Sequence, residues 1–247
     1  MIWSRTGGSE SGPLLVLLHG LGATGEVFAG LERELAGSWP GGWLVLDLPG
    51  HGRSDWAAPY SFRTYADQVR GLLPTDRALV VLGHSMGGVV ALELADGTAP
   101  VPLAVVALGV KVSWPERDVA GAQAMAARAV LYTESREDAV ARHLKLAGLV
   151  GLVDPAEPAV DAGVVETPEG WRVAQDPASF GVGVPAMGTL LGQAACPVLL
   201  ARGERDHMVT AADLAALTPD AVTLPGLGHN AHVEDPAAVL ELLTPYA

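Results

Sequence analysis

The chain alternates short, unbroken apolar runs with longer stretches whose apolar residues recur at helical spacing. Leu14 to Leu18, Trp43 to Leu46, Ala78 to Leu82, Leu103 to Leu108 and Pro197 to Ala201 are the unbroken runs, and Val222 to Leu224 is a shorter one. Runs of this length, bounded by glycine, proline or polar residues, predict strands buried on both faces, as in a parallel sheet. Gly25 to Ala36 carries Val27, Phe28, Leu31 and Leu35 on one helical face, and Ser61 to Leu73, Val89 to Ala95, Ala212 to Leu217 and Pro236 to Leu243 also predict helices. Asp235 ahead of Pro236 supplies an N-cap and a proline at the first helical position. Apolar strands alternating with helices imply an α/β class fold, with a mostly parallel central sheet flanked by helices on both faces.

Between Val110 and Ala195 the alternation breaks. Arg117 to Thr133 and Ser135 to Ala147 predict helices, the second opening on the cap-like order Ser135-Arg136-Glu137-Asp138. Gly148 to Gly192 is rich in Gly, Pro and Asp, with a hairpin expected between Val164-Val165-Glu166 and Trp171-Arg172-Val173 around Thr167-Pro168-Glu169-Gly170. An insertion with its own helices after a sheet strand reads as a lid over the strand ends. The expected organisation is therefore a core domain from 1–109 and 196–247 and a helical lid insertion at 110–195.

Composition narrows the function. A chain of 247 residues suits one large α/β domain with an insertion rather than two equal domains. The formal charge of −13 repels phosphate backbones and anionic headgroups, which argues against nucleic-acid and membrane partners. Lys111 and Lys145 are the only lysines, so no basic patch is expected. The lone Cys196, before Pro197, excludes an internal disulfide framework and a cysteine zinc cluster, and it is expected to be a small buried hydrophobe. Met1 to Pro13 has no apolar segment behind a basic one, and no apolar run reaches membrane-spanning length, so a soluble cytoplasmic protein is expected.

The chemistry centres on Gly83-His84-Ser85-Met86-Gly87-Gly88, set between an expected strand and an expected helix. A serine hydroxyl becomes a nucleophile only when it is lifted clear of its neighbours and set beside a base. Gly83 and Gly87 leave no Cβ where the chain reverses, and glycine tolerates strained dihedrals at such an apex. This is the G-x-S-x-G nucleophile elbow. The base is expected to be His229, in Gly226-Leu227-Gly228-His229 after the last short strand. His232, nearer the final helix, is its rival and is expected to pack or cap. The carboxylate that orients the base is expected to be Asp206, in the loop after Pro197 to Ala201, with Glu204 assigned to the turn. After Leu103 to Leu108 the chain offers Gly109-Val110-Lys111 and no acid, which strengthens that choice. An oxyanion needs pre-aimed donors, and the N–H groups of Met86 and of Leu21, in His19-Gly20-Leu21-Gly22, are the candidates. His19 and His84 are expected to be hydrogen-bonded scaffold.

Through the His19-Gly20-Leu21-Gly22 loop, the Asp47-Leu48-Pro49-Gly50-His51-Gly52-Arg53-Ser54 loop, the elbow, Asp206 and Gly228-His229, the chain resembles the α/β-hydrolase superfamily over nearly its whole length. The resemblance implies a triad of Ser85, Asp206 and His229, an oxyanion hole of Leu21 and Met86, a lid at about 110–195, and neither metal nor cofactor. It also implies leading antiparallel strands, for which Met1 to Gly12 has little room. The expected activity is that of a serine hydrolase cleaving a carboxylic ester or related acyl bond of a small molecule. Trp114, Tyr132, Phe180 and Met187 are the candidate substrate contacts in the lid. The chain is similar too, in length and motifs, to the succinyl-hydroxycyclohexadiene-carboxylate synthase lyases of menaquinone biosynthesis. Such a substrate would need cationic clamps, for which Arg117, Arg128, Arg136, Arg142 and Arg172 are available, although lid arginines are more commonly solvated. A hydrolase-fold binding protein without chemistry is the third reading.

Overall fold

The computed structural model describes residues 1–247. The strands are β1 (Ser4–Gly8), β2 (Leu14–Leu18), β3 (Gly42–Leu46), β4 (Leu79–His84), β5 (Ala104–Leu108), β6 (Val164–Thr167), β7 (Gly170–Val173), β8 (Val198–Gly203) and β9 (Val222–Leu224). The helices are α1 (Ala29–Ser38), α2 (Phe62–Arg70), α3 (Met86–Leu94), α4 (Glu116–Ala126), α5 (Arg136–Leu146), α6 (Met187–Gln193), α7 (Ala211–Ala215), α8 (Ala231–Glu234) and α9 (Pro236–Leu243). Seven strands form one sheet in the order β1-β3-β2-β4-β5-β8-β9, and every pairing in it is parallel apart from β1 against β3.

The unbroken apolar runs are explained by burial on both faces. Along β2, Leu14, Val16 and Leu18 enter one core cluster with α2 and α3, while Leu15 and Leu17 enter the other with α1 and α9. Successive side chains on a strand point to opposite faces, so a strand covered on both sides has no polar position to spare. Each fully buried leucine contributes about 2 kcal/mol. The connecting helices start where the caps lie: Ser61 forms a capping box with Thr64 on α2, and Asp235 accepts the Ala238 N–H at 3.0 Å on α9.

Some expectations needed revision. β1 carries Ser-Arg-Thr-Gly-Gly, with no apolar signal, and forms because Ser4 to Gly8 pairs in register with Leu46 to Gly42. It is the one antiparallel strand of the sheet and precedes β2 in the chain. The helix expected over Arg117 to Thr133 ends at Ala126; Thr133 is instead drawn out to pair with Trp171, Thr133 N–H donating to Trp171 O at 2.7 Å. That pairing extends the β6–β7 hairpin, whose register, Val164 opposite Val173 and Glu166 opposite Trp171, is the expected one. α6 lay unrecognised in a Gly- and Pro-rich stretch, and it buries Met187 and Leu190 in the same cluster as α3. Cys196 is only half-buried. No helix is long and apolar enough to cross a membrane.

Candidate active site

β4 ends at His84 and α3 begins at Met86, so Ser85 alone makes the turn between them. It is the sole non-glycine residue with positive φ, at +50° with ψ −113°. Such a conformation costs about 1–3 kcal/mol and persists only where the surroundings over-determine it. Here Ser85 N–H donates to Leu108 O of β5 at 2.8 Å, and Ser85 O accepts from Gly88 N–H at 3.0 Å. The flanking glycines leave no Cβ where the chain reverses, as expected, but they do not carry the strained dihedral. Neither has positive φ; a Cβ on Gly83 would lie 2.1 Å from Gly87 O, and one on Gly87 would lie 2.2 Å from Leu18 O. They allow backbones to touch, and the serine itself bears the strained dihedral.

Asp206 and His229 leave adjacent strand ends, β8 and β9. Two loops are zipped together to align them: Glu204 N–H donates to Leu224 O at 2.9 Å, and Arg205 N–H to Leu227 O at 2.8 Å. Glu204 accepts the Gly226 N–H at 2.8 Å, which makes it the turn residue it was expected to be. Buried Arg202 ties the acid's loop from below, donating to Val209 O and Glu204 O, each at 2.8 Å. Its role was invisible in sequence, where it reads as one more arginine. Asp206, its side chain fully buried, then accepts the Met208 N–H on Oδ1 at 2.8 Å and the His229 Nδ1–H on Oδ2 at 2.9 Å. With Nδ1 committed to the acid, Nε2 of His229 is the nitrogen left for chemistry. No hydrogen bond joins Ser85 Oγ to the His229 ring, a looseness common in unliganded sites.

The other histidines sort by burial. His84 Nε2 donates to His229 O at 2.9 Å, so the residue before the nucleophile holds the loop of the base. Burial, reinforced by neighbouring His232 and His229, pushes its pKa well below the ordinary value. His232, the rival base, is fully buried against Phe28 and His84, and burial pushes its pKa down to about 3. It cannot meet a substrate. His19 is scaffold: its Nδ1–H donates to Gly20 O at 2.8 Å and its Nε2 accepts the Leu48 N–H at 2.8 Å, joining the loops after β2 and β3. The second of those loops is organised by buried Asp47. Burial opposes its charge, yet Arg53 Nε at 2.7 Å and the backbone N–H groups of Gly25 and Arg53 hold its pKa below the usual carboxylate range.

A cavity of about 390 Å³ opens at the C-terminal ends of the strands. Ser85, His229, Leu21 and Met86 all line it, and the N–H groups of Leu21 and Met86 have no hydrogen-bond partner. Of the four expected substrate contacts, Trp114 and Phe180 line the cavity. The other two do not. Met187 faces the core beneath α3, and Tyr132 is exposed beside the hairpin, drawn there by the pairing of Thr133 with Trp171. None of the five insertion arginines lines it either: Arg136 pairs with Asp161, Arg117 lies in solvent, Arg172 stacks over Trp56, and Arg128 and Arg142 border a separate, smaller hollow. The residues unforeseen in the lining include Phe62, Met208, Asn230, Lys111, Lys145 and Leu146. Asn230 had a signal, standing next to the candidate base; its Nδ2 donates to Gly148 O at 3.0 Å and ties the end of α5 to the His229 loop.

Comparison with known proteins agrees with this fold. A chain from Rhodobacter capsulatus, the magnesium-chelatase 30 kDa subunit, is 33% identical over 238 residues, covering 88% of this chain and 80% of its own length. The 2-(acetamidomethylene)succinate hydrolase of Mesorhizobium japonicum is 28% identical over 257 residues, covering 95% and 87%. The crystal structure of E-2-(acetamidomethylene)succinate hydrolase superposes with a TM-score of 0.78 at 25% identity, covering 98% of this chain and 93% of that one. The sequence model of the alpha/beta hydrolase family matches residues 15–242, and the chain belongs to that family.

Proposed function

We propose that this hydrolase cleaves a carboxylic ester, or a related acyl bond, of a small molecule through an acyl-Ser85 intermediate. One observation carries the reading: the strained Ser85 and the His229 ring, tied through Nδ1 to Asp206, open on the same cavity. Ser85 Oγ attacks the carbonyl carbon while His229 Nε2 takes the hydroxyl proton. Asp206 accepts the Nδ1–H and stabilises the imidazolium. The oxyanion sits against the Leu21 and Met86 N–H groups, each donor being worth on the order of 10²- to 10³-fold in rate. Collapse expels the alcohol with the proton from His229. Water, deprotonated by His229, then attacks the acyl-serine and releases the acid. In this reading the 110–195 segment acts as the lid, with Trp114, Phe180 and the end of α5 facing the reacting groups.

The lyase reading drew on the insertion arginines, and these lie away from the cavity, so no observation favours it. The reading as a binding protein without chemistry has no feature of its own to support it.

Covalent labelling tests the proposal. A fluorophosphonate is expected to add once to the wild type at Ser85 and not to Ser85→Ala, read by intact-protein mass spectrometry. A folded wild type that stays unlabelled overturns it.

A further inference from the structure

The two lysines of this chain lie 34 positions apart, Lys111 in the loop after β5 and Lys145 in α5, and both line the cavity of Ser85. The chain holds 28 acidic residues and a formal charge of −13, yet no aspartate or glutamate lines that cavity. The lysines are therefore the only Lys, Arg, Asp or Glu residues in the lining, in a molecule whose net charge is negative. The two lysines are not equivalent. Lys111 Nζ pairs with Asp118 and lies 4.8 Å from the Trp114 ring centroid, so its charge is compensated and its position fixed. Lys145 has no carboxylate within 4.0 Å and makes no hydrogen bond through Nζ.

The side chain of Lys145 is exposed, but its backbone is held in place. It sits in the last turn of α5, whose inner face buries Ala139, Val140 and Leu144. The helix end is anchored on both sides of the candidate machinery: Asn230 donates to Ala147 O and Gly148 O, and Leu146 O rests so close to Gly22 that a Cβ there would lie 3.0 Å away. A cation in a last helical turn also favours the helix dipole, which would be a purely structural reason for the residue. That reason accounts for a lysine at the helix end and leaves the acid-free cavity unexplained.

We infer that the substrate carries a carboxylate away from its scissile bond, and that Lys145 binds this carboxylate while Lys111, tethered to Asp118, adds to the field. The inference rests on the hydrolase reading above and gives its substrate a chemical class, an anionic half-ester or acyl derivative of a dicarboxylic acid. A single uncompensated ammonium matches the one charge of a carboxylate.

The test compares two esters of equal length, p-nitrophenyl hydrogen glutarate, which bears a carboxylate, and neutral p-nitrophenyl pentanoate. The readout is the ratio of kcat/KM for the first over the second. The ratio is expected to exceed one in the wild type, to fall about tenfold in Lys145→Met through KM for the glutarate ester, and to recover in Lys145→Arg, since a hydrogen bond to a charged group is worth roughly 1.5–3 kcal/mol. A ratio unchanged in Lys145→Met, or an equal loss on both esters, overturns the inference. A second arm needs no turnover: glutarate binding to Ser85→Ala, followed by NMR titration, is expected to weaken by a similar factor in Ser85→Ala/Lys145→Met. If neither ester is cleaved but glutarate binds in a Lys145-dependent way, the hydrolase reading fails and the carboxylate site stands. Glutarate that does not bind Ser85→Ala, or binds both variants alike, overturns the site.

Discussion

β2, β3, β4 and β5 bury every one of their residues, whereas α4, between β5 and β8 in the chain, buries none. The candidate nucleophile stands at the end of β4, and the candidate acid and base stand in the loops after β8 and β9 at the same edge of the sheet. Trp114, Phe180 and both lysines come from the other region, or from its junction with β5. Chemistry of the proposed kind requires reacting groups held to a fraction of an ångström, and backbone pinned on both faces supplies that. Selecting a substrate requires a surface that can change without unfolding the frame. The 110–195 segment docks on the frame partly through apolar residues of α5 and α6 that join the two core clusters, and partly through specific polar contacts. Tyr60 OH donates to Asp176 at 2.8 Å, Asp176 N–H donates to Gly50 O at 2.8 Å, and Asn230 grips the end of α5.

The division of labour is sharpest where it predicts the largest effect. Asp206→Asn is expected to leave the fold intact and to lower kcat by about 10⁴-fold, because the amide favours the wrong His229 tautomer. Substituting Lys145, in the insertion, is expected to act on KM instead. A kcat in Asp206→Asn within tenfold of wild type would break the comparison on its catalytic side, as measured by steady-state ester hydrolysis.

Acid destabilisation cuts across both regions and comes next in size. Burial pushes His51 and His232 of the frame down to about 3, and His143 of α5 down to about 4. The unfolded chain takes up these protons near pH 6.5, whereas the folded chain refuses them. Their contribution is therefore complete above pH 6.5 and is lost as pH falls from there toward 4 and then 3, by at most about 1.4 kcal/mol per pH unit for each ring. Urea unfolding at pH 7, 6 and 5 is expected to show stability falling throughout, and His143→Gln is expected to make the fall shallower by one proton. A flat profile would mean that these rings are not buried as described.

The smallest effect tests the joint between the regions. Asn230→Ala removes two side-chain hydrogen bonds to the end of α5, at a cost of about 1–2 kcal/mol. Amide exchange is expected to quicken over α5 and to stay unchanged over β4. Equal quickening in both would show that the insertion and the frame open as one unit.

Legibility followed the same division. β2 and β9 occupy the spans their apolar runs predict, and Ser85, Asp206 and His229 were each identified from their position after a strand. β1 was missed because an edge strand with no buried face carries no apolar alternation, and only its pairing with β3 makes it a strand. The helix over Arg117 to Thr133 was drawn too long because helix propensity says nothing about Trp171, whose backbone claims Thr133. Asn230 and Arg202 escaped notice because each acts on backbone carbonyls, and which carbonyl lies near is not a property of local sequence.

By itself the sequence determined the elements whose burial is complete, the strand–turn–helix around Ser85 and the chain order of the candidate serine, acid and base. Those follow from periodicity and from local backbone sterics, which involve residues close together in the chain. Only the tertiary structure decided that Met187 and Tyr132 lie away from the cavity, that the strain rests on Ser85 rather than on its glycines, and that the two lysines line the same cavity as Ser85. The direction of a side chain on a partly exposed helix depends on how that helix docks. Docking, in turn, is set by contacts such as that of Asn230 with Gly148, 82 residues apart in the chain, which no local pattern records.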